Sequence, residues 1–361
     1  MVKVNSDCDK IPILIADSNN VDELTRLAEK TRVVVSTVGP FTRYGTPLVA
    51  VCANSGTNYC DITGEVHWVR QMIDKYDAIA NQTGAKLISC CGCDCIPWDI
   101  CTLMIADKLK AKGEDLSKVQ FFDEMYGSAS GGTLETVFES INAVQGGHKK
   151  NSLGFDPILK LNGKDSKSEN SCKIEYQTRL GFSAVHKTWV GFFVMAMVNA
   201  QAVRRSNCLL GYSPRMSYYE GLVFSNFLHG FNTTMELIIF GTLIFLPPAQ
   251  WFLRQYILPK PGEGPSEKDQ KDYFLRVIGY GTGSKGSKVK STLYYPNDAG
   301  YVDTARMLVE SGLSLALEES TQKIPGGYHT TASGCGKVLM ERLVDTGCTF
   351  DIEIDGNKKD N

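Results

Sequence analysis

The chain has 361 residues, which is enough for two domains with a sizeable core. Hydrophobic residues make up 43% of it and charged residues 22%, as in ordinary folded proteins, and the formal net charge is −2. No basic block or stripe stands out, which argues against a nucleic acid as partner. The opening MVKVNSDCDK lacks the apolar stretch of a signal peptide, so the twelve cysteines indicate reduced intracellular thiols.

The first third of the chain alternates between strand patterns and helix patterns. Runs of apolar and β-branched residues predict strands at 11–17, 31–39, 57–65 and 85–92, and the run at 31–39 is typical of a strand buried on both faces. Helical spacing with glycine or proline signals predicts helices at 18–30, 46–56, 66–84 and 97–113. Strict alternation indicates a parallel sheet covered on both faces, in which ligands bind at the carboxyl ends of the strands.

The second part of the chain has a different pattern. Longer strands of antiparallel type are predicted for KVQFFDEMYG, CKIEYQT, FLRVIGYG and SKVKSTLYY, and a helix for residues 299–320. We therefore expect a partial parallel-sheet domain at residues 1–115, an α+β domain at 116–298, and C-terminal helices at 299–361 that return to the first domain.

An apolar region at residues 221–258 includes Leu237–Leu253, which has no charged residue over 17 positions. Pro247-Pro248 would interrupt a helix there, and the unbroken part would rise only ~15 Å. We predict that this region lies in one leaflet of a membrane, as in a peripheral or monotopic protein of an intracellular surface such as a lipid droplet, the plasma membrane or another organelle. The alternative is a buried core helix or a dimer helix.

The stretch SCCGCDCIP, Ser89 to Pro97, contains four cysteines. A structural zinc site usually needs a second pair of ligands at a separate place, and the sequence offers none. Neighbouring residues of a strand also face opposite sides, so Cys90 and Cys91 do not both point at one ion. Plain packing is therefore favoured and no metal is predicted, while a sensor thiol at the start of the following helix stays open.

Two glycine-rich stretches are further candidates. GTGSKG (residues 281–286) matches a dinucleotide fingerprint, but β-branched residues follow it, so a hairpin is predicted instead. SGGT, with Gly131, Gly132 and Thr133, precedes a helix pattern and is either an anion or carbonyl site or a plain N-cap.

The loop VGPFTRYG (residues 38–45) follows a predicted strand. Gly39 lets the backbone approach a ligand closely, and Arg43 and Tyr44 supply polar groups at the strand end. The alternative is an ordinary strand-to-helix turn.

Four ordered motifs carry a resemblance to a known family: VVVSTVGPFTRYGTPLVAVC, YCDITGE, GCDCIPWDI and SGGT. Their order and spacing resemble the saccharopine dehydrogenase-like oxidoreductases, which are related to saccharopine reductases and to bacterial trans-acting enoyl reductases. The similarity continues through AGYVDTARM to PGGYHTTASG and covers nearly all of the chain. The family pattern near the cysteines looks like GFDSIP, so the thiols look like substitutions around a Gly-Asp-Pro turn.

The resemblance implies an incomplete Rossmann-type α/β sheet that binds NADP or NAD. It also implies an α+β substrate and homodimer domain, which here carries the apolar membrane-associating insertion. The cofactor-binding residues that it implies lie at strand ends: Asp17, Ser18, Gly39, Pro40, Phe41, Asp61, Gly64, Glu65, Gly92, Asp94 and Pro97. On the substrate side we expect the polar residues of the first loop and the SGGT turn: Arg43, Tyr44, Gly131, Gly132 and Thr133. No residue emerges as catalytic.

The sequence departs from the family at its start. Family members open with a strand, a G-x-x-G-x-x-G turn and a helix that hold the pyrophosphate. Such a unit needs roughly 30 residues, whereas ten precede Ile11. A truncated gene model and a degenerate member that does not hold the cofactor are the two interpretations left open.

The leading hypothesis is an NAD(P)-dependent oxidoreductase, associated with a membrane or lipid droplet, that acts on a small-molecule or lipid substrate in lipid or glycolipid metabolism. Saccharopine itself is disfavoured because no dense Arg/Lys cluster meets its carboxylates. The rival hypothesis is a cofactor-free scaffold on a membrane surface. Cofactor binding distinguishes the two.

Overall fold

A computed structural model describes residues 11–127, Phe138, residues 171–258, Ser266 and residues 272–355. The strands of these residues are β1 (Val33–Ser36), β2 (Asn58–Asp61), β3 (Lys86–Ile88), β4 (Leu116–Tyr126), β5 (Ser171–Tyr176), β6 (Gly181–Ser183), β7 (Thr188–Gly191), β8 (Arg215–Phe224), β9 (Phe274–Gly283), β10 (Lys288–Tyr295), β11 (Gly327–His329) and β12 (Thr349–Ile354). Their helices are α1 (Val21–Ala28), α2 (Phe41–Ser55), α3 (Val66–Thr83), α4 (Ile96–Lys110), α5 (Ala196–Leu210), α6 (Phe227–Ile244), α7 (Pro247–Tyr256), α8 (Val302–Leu317), α9 (Glu319–Gln322), α10 (Thr331–Gly334) and α11 (Lys337–Asp345).

The first sheet is parallel, with the strand order β1–β2–β3–β11. Tyr59 and Leu87 pair across β2 and β3 and lie in the core shared with α1, α2 and α3. Their neighbours Cys60 and Ile88 lie in the other core, with α8. Because successive strand residues face opposite sides, helices cover both faces, and the predicted α/β class is confirmed.

The second sheet has eight strands in the order β12–β10–β9–β4–β8–β7–β6, with β5 beside β8. The pairs β9–β10 and β4–β9 are antiparallel, as predicted. The antiparallel pair β10–β12 was not predicted, because residues 299–361 were expected to form helices that return to the first domain, whereas β12 extends the large sheet. The pairs β4–β8 and β5–β8 are parallel, so the prediction of antiparallel pairing is wrong for β5 and for one side of β4. Helix α5 lies in the connection from β5 to β8, and a helical crossover lets the next strand run parallel.

Most of the predicted helices are confirmed, and the glycine stops are where the sequence puts them. Gly56 and Gly84 close α2 and α3 in the left-handed conformation, with φ of 73° and 85°. GTGSKG forms the end of β9 and the start of the turn to β10, so the hairpin prediction is also confirmed.

Two strand predictions are wrong. Residues 11–17 form no strand, because they pair with no strand among the described residues, and the side chains of Ile13 and Ile15 are 90% and 95% exposed. β1, at the edge of the sheet formed by the described strands, is not buried on both faces, because Val35 is 42% exposed.

The apolar region forms two helices, α6 and α7, and the break falls at Pro247-Pro248 as predicted. Of the helices in the described ranges, α6 alone is long and apolar enough to cross a membrane, by length and composition only. Its buried residues are Gly230 and Ile244, so it is not a core helix of the part of the chain that the structure describes.

Helix α5 joins the two sheets through buried polar side chains. Asn199 donates a hydrogen bond to Glu220 of β8 at 2.7 Å. Arg205, with a side chain only 2% exposed, donates to the Tyr328 carbonyl of β11 at 2.5 Å and 3.1 Å. Ser206 donates to Asp99 of α4 at 2.5 Å. These contacts fix the position of the large sheet relative to the parallel one.

Two buried carboxyl groups lie on neighbouring strands of the large sheet. Asp123 of β4 and Glu220 of β8 face the same side, where Asp123 accepts from Trp98 Nε1 at 2.9 Å and Glu220 accepts from Tyr218 at 2.5 Å. Burial raises the pKa of Glu220 to about 8, and burial together with the Glu220 charge raises the pKa of Asp123. The folded chain therefore binds a proton here that the unfolded chain releases above about pH 4.5.

A Glu220→Gln variant should show a weaker dependence of stability on pH. The contribution of Glu220 is fully present below about pH 4.5 and is lost as the pH rises towards 8. The wild type should therefore lose stability between pH 5 and pH 8, and the neutral amide should remove part of that slope. Urea unfolding across this range checks the prediction, with the exposed Glu353→Gln as control. Equal slopes of the free energy of unfolding against pH in the wild type, Glu220→Gln and Glu353→Gln would contradict the prediction.

Candidate functional site

Three loops follow the carboxyl ends of adjacent parallel strands. We define loop 1 as residues 37–40 after β1, loop 2 as residues 62–65 after β2, and loop 3 as residues 89–95 after β3. Eight of the sixteen residues singled out from the sequence lie in these loops or end the strand before them: Gly39, Pro40, Asp61, Gly64, Glu65, Gly92, Asp94 and, as the first residue of α2, Phe41. The carboxyl edge of this sheet is therefore the candidate site.

Glu65 of loop 2 caps the helix that starts after loop 1. Its Oε1 accepts from the Phe41 amide at 2.7 Å, and its Oε2 accepts from the Thr42 amide at 2.9 Å and from the Thr42 hydroxyl. Helix α2 has no side-chain cap of its own, because Pro40 stands at its N-cap. Glu65 thus accepts from two backbone amides at the start of α2 that would otherwise lack a hydrogen-bond acceptor. Glu65 itself is only 1% exposed.

Asp61, at the end of β2, holds loops 2 and 3. Its carboxylate accepts from the Thr63 amide at 3.0 Å, from the Ser89 hydroxyl at 3.0 Å and from the Cys90 amide at 3.3 Å. Complete burial raises the pKa of Asp61 to about 6, against the opposing effect of these hydrogen bonds. Asp61 therefore joins loop 2 to loop 3, and Glu65 joins loop 2 to the start of α2, directly after loop 1.

A cavity of about 20 Å³ lies beneath loop 3, with room for a single water molecule. Its lining includes Ser89, Arg205 and Tyr328, and the hydroxyls of Ser89 and Tyr328 are 2.5 Å apart. A cavity of this size does not hold a substrate, so any ligand of the loops would bind on their outer side.

The glycines near the site differ in what a side chain at their position would contact. A Cβ on Gly45 would lie 2.7 Å from the Trp68 ring, and one on Gly92 would lie 3.0 Å from the Thr304 side chain, so packing accounts for both. A Cβ on Gly39 would meet only the Phe41 ring, at an ordinary 3.5 Å. No tight contact among the described residues therefore requires glycine at position 39.

Loop 3 is a tight turn that carries Asp94. The Cys93 amide donates to the Thr304 hydroxyl at 2.9 Å, and Cys90 and Cys95 have φ of 63° and 97°, in a region that non-glycine residues seldom adopt. Asp94 is partly exposed and makes no hydrogen bond or ion pair among the described residues. Desolvation raises the pKa of Asp94 to about 6.

The thiols of loop 3 are buried. Desolvation raises the pKa of Cys91, Cys93 and Cys95 well above the ordinary value, which keeps these thiols neutral and unreactive. No group of three metal-ligating side chains occurs in the described ranges. The thiols contribute to packing, since Cys91 and Cys93 lie in one hydrophobic core and Cys95 lies in the other.

The remaining predicted residues lie further from the three loops. Arg43 and Tyr44 are exposed on the first turn of α2, which begins at Phe41 and not at the predicted Thr46. Asp17 and Ser18 lie in the turn before α1, where Asp17 accepts from the Asn19 amide at 2.8 Å. Pro97 is buried in the first turn of α4. Gly131, Gly132 and Thr133 lie outside the described residues.

Three residues that support the site were not identified from the sequence: Ser89, Thr304 and Tyr328. Thr304 lies in AGYVDTARM and Tyr328 in PGGYHTTASG, two of the motifs that carry the family resemblance. Their position in shared motifs was a signal, but only the tertiary structure brings them against loop 3.

A parallel sheet covered by helices, with loops at its carboxyl edge and joined to a second, mixed sheet, defines an α/β fold. No protein-family model matches the chain. Among curated proteins, it is 32% identical over 355 residues to a trans-acting enoyl reductase of Mycobacterium tuberculosis, covering 93% of this chain and 84% of that protein. A trans-acting enoyl reductase of Mycobacterium ulcerans is 32% identical over 351 residues, with the same coverage of 93% and 84%.

Among solved structures, the chain is similar in fold to apo saccharopine dehydrogenase (L-Glu forming) from Saccharomyces cerevisiae. The TM-score is 0.54 at 8% identity, covering 94% of this chain and 88% of that one. Homospermidine synthase from Legionella pneumophila, solved in complex with NAD, gives 0.50 at 9% identity, covering 97% and 83%. The chain belongs to the saccharopine dehydrogenase-like family that includes the trans-acting enoyl reductases.

A Glu65→Gln variant should be less stable than the wild type by about 1–2 kcal/mol. The amide can accept one of the two α2 backbone bonds, but its NH₂ group opposes the other donor. Urea unfolding measures the change. The same substitution at Glu319, which pairs with Lys323 on the surface, should cost less than about 0.5 kcal/mol. Equal losses in the two variants would contradict the capping role of Glu65.

Proposed function

We propose that the chain is an NAD(P)-dependent oxidoreductase that reduces the carbon–carbon double bond of an enoyl substrate of lipid type. The observation that carries the proposal is Gly39, an exposed glycine at the carboxyl edge of the parallel sheet that no internal contact explains. Its neighbours on loops 2 and 3 are fixed by Asp61 and Glu65, so the surface offered to a ligand is preorganised. The names of the curated relatives supply the enoyl reductase chemistry.

The residues of this edge fit the nicotinamide end of a dinucleotide. Loop 1 offers exposed backbone at Gly39, which a flat ring can approach closely. The first amides of α2 are engaged by Glu65, so the phosphates would be held by other groups. A bound NAD(P)H supplies the hydride. The part of this chain in the reaction is to bind and orient the ring, to exclude water and to deliver a proton.

A Gly39→Ala variant should bind NADPH about tenfold more weakly, because the added methyl group blocks close approach to loop 1. Its stability should change by less than about 0.5 kcal/mol, since the methyl meets no tight contact inside the chain. Titration of NADPH fluorescence measures the affinity.

Two further alanine variants serve as controls for Gly39→Ala. Gly241→Ala adds a methyl group where nothing lies within 4 Å, so NADPH affinity and fold should both be kept. Gly45→Ala should lower stability because of its contact with Trp68. A wild type that binds neither NADPH nor NADH would overturn the proposal and favour a cofactor-free scaffold.

We also propose that α6 and α7 bind a membrane or lipid-droplet surface, which would give the site access to a lipid substrate. The support is the exposure of large apolar side chains on both helices: Leu228 is 68%, Ile239 59% and Trp251 62% exposed. Such a surface is unfavourable in water and is stabilised by transfer to an apolar phase.

Replacement of Leu228, Ile239 and Trp251 by serine should abolish binding to phosphatidylcholine vesicles. Burial of three such side chains contributes several kcal/mol, so the partition coefficient should fall about 100-fold or more. Flotation through a density gradient measures the bound fraction. Val309→Ser, at a 50% exposed apolar site on α8, should float like the wild type. A wild type that stays at the bottom of the gradient would rule out the lipid surface.

A further inference from the structure

Reduction of a double bond needs a proton as well as a hydride, and no proton donor is evident from the sequence. The ionisable side chains at the carboxyl edge differ in the hydrogen bonds that they already make. Asp61 is completely buried and holds three donors of loops 2 and 3. Glu65 holds the first amides of α2. Neither carboxylate can give up these contacts without releasing a loop.

Tyr328 is another candidate, but its surroundings argue against it. Its side chain is 2% exposed, and its hydroxyl is held at 2.5 Å from Ser89 beneath loop 3. The adjoining cavity has room for one water and not for a substrate. Tyr328 therefore lies on the inner side of the loop.

Asp94 differs from Asp61, Glu65 and Tyr328. It is partly exposed, and its carboxyl group makes no hydrogen bond or ion pair within the part of the chain that the structure describes. The turn that carries it is rigid: the Cys93 amide is fixed on Thr304, the Ile96 amide donates to the Gly92 carbonyl at 3.2 Å, and Gly92 packs against Thr304. A carboxyl group without a structural task, held on a rigid turn, is what proton transfer requires.

The electrostatic surroundings of loop 3 are acidic. The charges that act on the thiols of Cys93 and Cys95, on either side of Asp94, include Asp99 of α4, Asp123 of β4, and Asp298 and Asp303 before and on α8. Arg306 is held at 3.0 Å by Asp303. Desolvation raises the pKa of Asp94 to about 6, so a fraction of the molecules carries the proton at neutral pH.

We propose that Asp94 is the proton donor of the reduction, an inference that rests on the proposed function. With NAD(P)H as the source of hydride, a C–H bond would form at one carbon of the double bond. The π electrons of the double bond would then form a second C–H bond, at the other carbon, with the proton of Asp94. The O–H bond of the carboxyl group breaks, the enoyl group is reduced, and the nicotinamide is oxidised. The Asp94 carboxylate then recovers a proton from water.

The test compares the wild type with Asp94→Asn and Asp94→Glu, using NADPH and the crotonyl thioester of N-acetylcysteamine. The asparagine variant should lose about 100-fold or more in kcat, with KM and the affinity for NADPH little changed. The wild-type kcat should fall as the pH rises above about 6, and this limb should vanish in the asparagine variant. The glutamate variant should restore part of kcat. Asp351→Asn, at an exposed position of β12, should behave as the wild type.

A second measurement does not depend on turnover. In protein labelled with ¹³C at the aspartate carboxyl carbons, the resonance that is missing from Asp94→Asn should titrate near pH 6. Titration near pH 4 would overturn the inference, as would an asparagine variant that keeps its kcat and its pH profile while the wild type is active; in both cases the proposed function stands. A wild type that neither binds NADPH nor reduces the thioester would overturn the proposed function and the inference with it.

Discussion

Two carboxylates four residues apart, Asp61 and Glu65, hold the carboxyl edge of the parallel sheet together. Asp61 reaches loop 3 and Glu65 reaches the start of α2, so the loop between them links its neighbours on both sides. Both side chains are buried, where a hydrogen bond to a charged group contributes about 1.5–3 kcal/mol and an unpaired amide costs a similar amount. Asp61 and Glu65 thus accept hydrogen bonds from backbone amides at the start of α2, in loop 2 and in loop 3.

The two sheets depend on a second set of buried polar contacts, made by α5. Arg205 lies within 3.5 Å of Asp77 on α3 and donates to the carbonyl of Tyr328, so one guanidinium joins α5 to both α3 and β11. From the same helix, Asn199 reaches Glu220 in the large sheet. Loss of one partner of a buried charged pair costs about 3–5 kcal/mol, so the angle between the sheets is strongly determined.

The sequence predicts those features that depend on near neighbours in the chain. Helices α1 to α4 follow from apolar spacing, and Gly56 and Gly84 end two of them because glycine tolerates positive φ. Long-range pairing is different. Residues 11–17 have the composition of a strand but no partner in the described structure, and the parallel pairs of β8 depend on a crossover through α5.

The distinction between features set by near neighbours in the chain and features set by long-range contacts also applies to the candidate site. The strand ends could be identified from the sequence, and with them Gly39, Asp61 and Glu65. That Glu65 caps α2 could not, because it requires β1 and β2 to be adjacent, which spacing alone does not fix. Asp94 was expected only as a cofactor-binding residue, and the absence of a partner for its carboxyl group among the described residues is visible only in three dimensions.

The different reasons for glycine at positions 39, 45 and 92 bear on how this sequence can change over evolutionary time. Steric contact with Trp68 and Thr304 makes Gly45 and Gly92 requirements of folding, whatever the protein binds. Gly39 meets no such requirement, so a lineage that had lost its ligand would be free to drift at that position while it kept the other two. All three positions are glycine in this chain.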